Sequence, residues 1–289
     1  MGSKIVVKHF SIAVFIFALG VFLAGTPALA QPEEIKSARE DLILSAEKLS
    51  QTKDAELTPE KKAERDFELK RAALGKIISF SILETQDIKR RLLIVAEVEA
   101  ELSVLRDYFL AELEDYLDHL GVAENILKIS VDLNAVQKLA ADLDGWRESI
   151  YNPELKKMMD FVLAFQNKTL LKIADQRFIK MAAEFKKAKT GKLSQTLVLN
   201  LLGEAALSLR AARETSNETA KLLLRYLPES QDGESADAPS GQEEILPPEP
   251  AENEKPGIRD LIAHSLSKIR DAYKNFIELN DLAKKFSNK

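Results

Sequence analysis

Apolar residues recur at steps of three and four through most of this chain, the spacing that lines them up along one face of an α-helix. The clearest pair of such stretches lies between Pro153 and Tyr226. In the first, Leu171, Ala174, Phe178, Met181, Phe185 and Ala188 form a seam of nearly coiled-coil period. In the second, Val198, Leu202, Ala205, Leu209, Ala212, Ser216, Thr219, Leu223 and Tyr226 keep the same alternation. Gly191 and its neighbours separate them, so the pattern predicts two antiparallel helices joined by a short loop. Asn152 suits the N-cap of the first and Pro153 its first helical position. Lys186, Lys187 and Lys189 place positive charge in its last turn, against the negative end of the helix dipole. The middle of the second seam is small, which leaves room for the phenylalanines opposite. Leu199, Leu201, Leu222 and Leu224 fall beside the seam and call for further helices to cover them.

The rest of the chain supplies them. Pro32 to Glu34 open a helix whose stripe is Ile35, Ala38, Leu42, Ala46 and Leu49. Thr58 and Pro59 start another. From there Phe67, Leu74, Ile78, Ser81, Thr85, Ile88, Leu92, Val95, Leu102, Leu105 and Phe109 stay in phase. No proline intervenes before Pro153, and Gly75 is the one glycine before Gly121. The expectation is a single helix from Pro59 to Leu120, about 90 Å long. The alternative is a break near Ser81 and Thr85, whose hydroxyls compete for backbone groups. Gly121 is expected to end this segment, with residues 125–131 as a short connection. Asp132 then caps a helix through Leu133, Val136, Leu139, Ala140 and Leu143. Trp146, the only tryptophan, reads as packing at a bundle end rather than a docking point. A last seam, Ile258, Ile262, Ser265, Ile269, Ala272, Phe276, Leu279, Ala283 and Phe286, is widened by Leu261, Leu266 and Ile277. Residues 258–289 thus form a C-terminal helix that packs on its own bundle or on a partner. The fold class that follows is all-α: an elongated antiparallel helical bundle with coiled-coil-like seams, covering residues 31–227 and preceded by a signal peptide.

Two stretches depart from the pattern. Residues 1–30 begin with Lys4 and Lys8, continue through an apolar run from Phe10 to Ala24, and reach Pro27 and Ala28-Leu29-Ala30 before Gln31. That is the order of an export signal with its cleavage site. The rival is an uncleaved anchor, since His9 to Ala30 carries no formal charge and is long enough to span a bilayer. Residues 228–257 hold six of the ten prolines, nine acidic residues and one lysine. They read as a disordered, acidic, proline-rich linker. Within it, Pro247-Pro248-Glu249-Pro250 favours polyproline geometry, a recognition motif in some settings and a solvated tether in most.

Composition narrows the function classes. There is no cysteine, so neither disulfides nor a lipid anchor on a cysteine is available. The net charge is −5, and more negative once residues 1–30 are set aside, which argues against nucleic acid as a partner. No Gly-x-Ser-x-Gly elbow and no phosphate-cradling glycine loop occur. The two histidines after residue 30, His119 and His264, each follow an aspartate by four positions, Asp115 and Asp260. Each pair shares a helix face, and the two pairs together would make a four-ligand metal site. The plainer reading is two exposed pairs, because Tyr116 and Leu261 stand where di-iron bundles carry glutamate. Asn167-Lys168-Thr169 and Asn217-Glu218-Thr219 match glycosylation triplets but fall in predicted helices. The expectation is a non-enzymatic, exported protein of the periplasm, cell envelope or extracellular space. It has a structural or scaffold role, with no cofactor and with a protein partner or a second copy bound through helix packing. A ligand- or metal-binding bundle and a membrane-anchored scaffold are the alternatives.

Overall fold

The computed structural model describes residues 33–50, 58–95, 100–187, 192–227 and 256–287. The expected signal peptide and most of the acidic linker lie outside the described residues. Every described element is helical: α1 (Glu33–Ser50), α2 (Pro59–Ile94), α3 (Ala100–Ile129), α4 (Leu133–Trp146), a π-helical turn (Arg147–Tyr151), α5 (Asn152–Lys187), α6 (Lys192–Leu223), a 3-10 turn (Leu224–Tyr226) and α7 (Ile258–Ser287). They fall into two compact units. The first takes described residues up to Arg90 together with Leu110–Pro153; the second takes Arg91–Phe109 and the chain from Glu154 onward.

In the first unit the long seam is buried as expected, with Leu74, Ile78, Ser81, Thr85 and Ile88 all out of solvent. The single rod is not formed. Thr85 lies inside α2, and the helix instead stops at Ile94. The Val95 N–H turns back to the Leu92 carbonyl at 3.2 Å, a tightened final turn. The Val95 carbonyl accepts from Arg106 at 3.3 Å, which satisfies one of the acceptors that a helix end leaves open. Neither glycine nor proline marks this break. Ile94 and Val95 are β-branched and weak helix formers, and Val95 and Leu102, one heptad apart, are both buried.

α3 then runs antiparallel to α2. Lys89 pairs with Glu114, Arg71 donates to the Lys128 carbonyl at 2.8 Å, and Leu127 lies against Gly75. Gly121 does not end the helix: α3 passes through it and through residues 125–129 to Ile129. Asp132 does cap α4, accepting from the Ala135 N–H at 2.8 Å. Asn152 is no N-cap. Its φ and ψ are helical, and its N–H bonds to the Arg147 carbonyl, the wider i→i−5 step. α4, the π-turn and α5 therefore follow one another without a non-helical residue. This explains how Pro153 is tolerated. A proline inside an α-helix clashes with the carbonyl four residues before it, and a π-step just upstream widens the turn at that place.

In the second unit α5, α6 and α7 share a core of Leu171, Ala174, Ala205, Leu209, Ala212, Ile269, Ala272 and Phe276, with Phe178, Met181 and Tyr273 packed against it. Val198, Leu201 and Leu279 continue it, flanked by Met181, Phe185, Leu202 and Leu282. Numbers rise along α5 and α7 as they fall along α6, so α6 is antiparallel to both. The C-terminal helix thus packs on its own chain. Its small partners matter: Ala174, Ala205, Ala212 and Ala272 are fully buried, which lets the backbones approach and seats Phe178 and Phe276 between them. Leu201 is covered, while Leu199 and Ile277 stay exposed and do not widen the buried seam.

Candidate functional site

The residues that carry recognisable chemistry in the sequence are placed on the surface. Asp115 and His119 are exposed on α3, in the first unit; Asp260 and His264 are exposed on α7, in the second. The His119 ring stacks on Trp146, centroids 4.2 Å apart. Asp260 accepts from the Gly257 N–H at 3.1 Å, a capping contact at the start of α7. No group of three or more His, Cys, Asp or Glu side chains positioned to hold a metal occurs among the described residues. Trp146 is used for packing, against Tyr116 edge-on at 5.6 Å and Tyr151 at 5.0 Å. Asn167 is 1% exposed and its amide donates to Ser265, so the folded chain does not present this triplet for glycosylation; Asn217 is exposed on α6.

The structure assembles two polar centres instead. The first surrounds the π-turn. Arg147, 1% exposed, donates to the Ser81 hydroxyl and lies over the Tyr151 ring, 4.8 Å from its centroid. The Tyr151 hydroxyl is within hydrogen-bonding reach of the Ser81 carbonyl (3.0 Å), Glu84 Oε2 (3.1 Å) and Thr85 Oγ1 (3.0 Å). Thr85 Oγ1 donates to the Ser81 carbonyl at 2.7 Å. One phenolic proton serves acceptors on three sides, so the group works as a neutral donor. Burial pushes the Tyr151 hydroxyl well above its ordinary range, and the neighbouring Glu84 carboxylate adds to the rise. Burial also raises Glu84, opposed by the positive charge of Arg147 and by its hydrogen bond from Tyr151. Ser81 and Thr85 do not break α2; they bond to carbonyls one turn back, and the Ser81 hydroxyl also accepts from Arg147.

The second centre joins the helices of the second unit near the ends of the acidic linker. Asp160, buried on α5, accepts from Arg259 Nε at 2.6 Å and lies 3.5 Å from the Tyr226 hydroxyl, the outer limit for such a bond. Arg259 opens α7 and Tyr226 closes the 3-10 turn, so one carboxylate holds both sides of the linker. Burial and the Asp160 charge raise the Tyr226 hydroxyl to about 12. Two turns further along α5, Asn167 Nδ2 donates to Ser265 Oγ at 3.0 Å, and Ser265 donates to the Ala212 carbonyl at 3.1 Å. This ladder crosses α5, α7 and α6 and fixes their register.

In both centres buried polar side chains bond from one helix to another. The sequence signals for them were indirect: Ser81 and Thr85 at core positions of a seam, and Ser265 at a core position of the last one. Arg147 and Asp160 gave no signal, because in sequence they resemble any solvated helix-face charge. Comparison with protein-family models, with curated proteins and with solved structures gave no match.

Proposed function

We propose that this chain is an exported helical-bundle protein of the cell envelope with a structural or scaffolding role and no enzymatic activity. Its helices pair antiparallel along coiled-coil-like seams. The observation that carries the reading is an apolar ridge on the surface of the first unit. Val122, Ile126 and Ile129 are spaced by four and three on α3 and Val131 follows, with Ile129 and Val131 77% and 86% exposed. Contiguous exposed apolar residues of this kind mark interaction surfaces, whereas the buried polar groups of this protein serve its own fold. The ridge suits a helix-in-groove or helix-on-helix partner. The order of charge and apolar residues in 1–30 supports export. No described helix is long and apolar enough to cross a membrane, and the candidate anchor His9 to Ala30 lies outside the described residues.

Recovery from envelope fractions tests the reading. The wild-type mature chain retains a protein partner or self-associates, and Ile126→Glu with Ile129→Glu loses it while keeping its helical circular dichroism. A strictly monomeric wild type with nothing retained overturns the reading. N-terminal sequencing that begins at Gln31 supports cleavage; an intact Met1 in the membrane fraction replaces the secreted form by an anchored scaffold.

A further inference from the structure

An open groove of about 340 Å³ runs between α5 and α7 in the second unit. Its apolar wall is Met181, Tyr273, Phe276 and Ile277, and its rim carries Arg177 and Lys180. Arg177 lies over the Tyr273 ring, 5.1 Å from the centroid, which holds the aromatic face and the positive charge together. Ile277 flanks the α7 seam and is 61% exposed, an apolar side chain at a groove with nothing over it among the described residues. The groove's own carboxylate, Glu184, sits one turn beyond Lys180.

We propose that this groove is the docking site for the chain's own residues 245–250, Ile-Leu-Pro-Pro-Glu-Pro. Three observations select this occupant. The first is chemistry: prolines dock on aromatic faces, Ile245 and Leu246 match Met181 and Ile277, and Glu249 matches Arg177 and Lys180. The second is charge on a larger scale. The linker carries nine acids against one lysine, while Asp175, the acid on α5 nearest Arg177, is already bound by both oxygens to Arg213 at 2.9 Å. The third is reach. Tyr273 and Ile277 lie about 22 and 28 Å along α7 from Ile258. From Gly257, extended chain carries Pro250 about 23 Å and Ile245 about 40 Å. The return to Leu227 has ample length, and the Asp160 contacts to Tyr226 and Arg259 set both ends on the same side. Running in this direction, the segment puts Glu249 at the Arg177 end and its two aliphatic residues toward Glu184, so its carboxylate avoids the groove's own. Tethering supplies an effective concentration of about 1 mM, enough for a six-residue segment of weak intrinsic affinity.

Zero-length carbodiimide crosslinking of the mature chain, read by mass spectrometry, tests this. The expected product joins Lys180 to Glu249, and in an equal mixture of light and isotope-labelled protein it stays within one isotope class. Ile277→Glu, which alters an exposed side chain, and Pro247→Gly with Pro248→Gly each cut the yield at least tenfold, with circular dichroism unchanged. A Lys180 product that is no more abundant than those of other exposed lysines, or that persists undiminished in Ile277→Glu, overturns the proposal. So does a product found mainly across isotope classes, which would make the occupant a second copy.

Discussion

The two polar centres solve the same problem in opposite ways. Around the π-turn a cation is buried outright, with hydroxyls, an aromatic face and a carboxylate arranged about it. At Asp160 an anion is buried, but its arginine partner keeps over a third of its side chain in water. Removing a partner from a dry charge leaves an uncompensated ion, whereas a pair that reaches solvent can be rehydrated. The first arrangement locks a helix irregularity in place. The second is a clasp whose outer half remains accessible, between Asp160 of α5 and Arg259 at the start of α7.

Substitutions can break this contrast, beginning where the effect is largest. Arg147→Ala strips the counter-charge from Glu84 and opens a cavity beside Tyr151, and should cost about 3–5 kcal/mol in urea unfolding followed by circular dichroism. Arg147→Met together with Glu84→Leu should recover most of that loss, since a filled apolar site needs no charge. Arg259→Ala should cost about 1–3 kcal/mol, because water can replace the lost donor at Asp160. Costs in the reverse order would dissolve the distinction between a dry centre and a wet one.

Titration separates the centres further. The Tyr226 hydroxyl, near 10 in the unfolded chain, is held at about 12 in the fold. Between those values the folded state keeps a proton that the unfolded state releases, so stability falls as pH rises through that window. Tyr226→Phe should remove its share of this alkaline slope and leave the share of Tyr151, whose hydroxyl burial also raises. Glu84 gives a slope of the same sign at acid pH. Its carboxyl is raised in the fold, so its contribution is full below the unfolded value and is lost as pH rises through the folded one; Glu84→Gln should remove it. Both slopes are read from urea midpoints across pH. The smallest expected change is a gain. An added Cβ at Gly121, Gly145 or Gly203 meets nothing within 4 Å, so alanine at each mid-helix position should stabilise by about 0.5–1 kcal/mol, raising the thermal midpoint. No gain at Gly145, beside the π-turn, would show that this irregularity needs backbone freedom that Gly121 and Gly203 do not.

By itself the sequence determined that the described chain is helical, and where its main apolar seams lie. Burial of Leu74, Ile78, Phe109, Leu171, Ala205, Ala212, Ile262 and Ala272 follows from spacing alone, because a 3.6-residue repeat turns apolar composition into a face. The Asp132 cap was legible for the same local reason. Tertiary structure alone decided where helices end without glycine or proline, and which charges are buried. α2 stops at Ile94, where β-branched Ile94 and Val95 are weak helix formers and Arg106 bonds to the Val95 carbonyl. Gly121 fails to stop α3 because burial of Leu120 and Leu127 outweighs its local cost, about 1 kcal/mol, and Pro153 is accommodated inside a helical run by the π-turn before it. Arg147 and Asp160 became structural through partners 66 and 99 positions away. Periodicity reads neighbours within a turn or two, and the desolvation of a charge depends on what arrives from the far end of the chain.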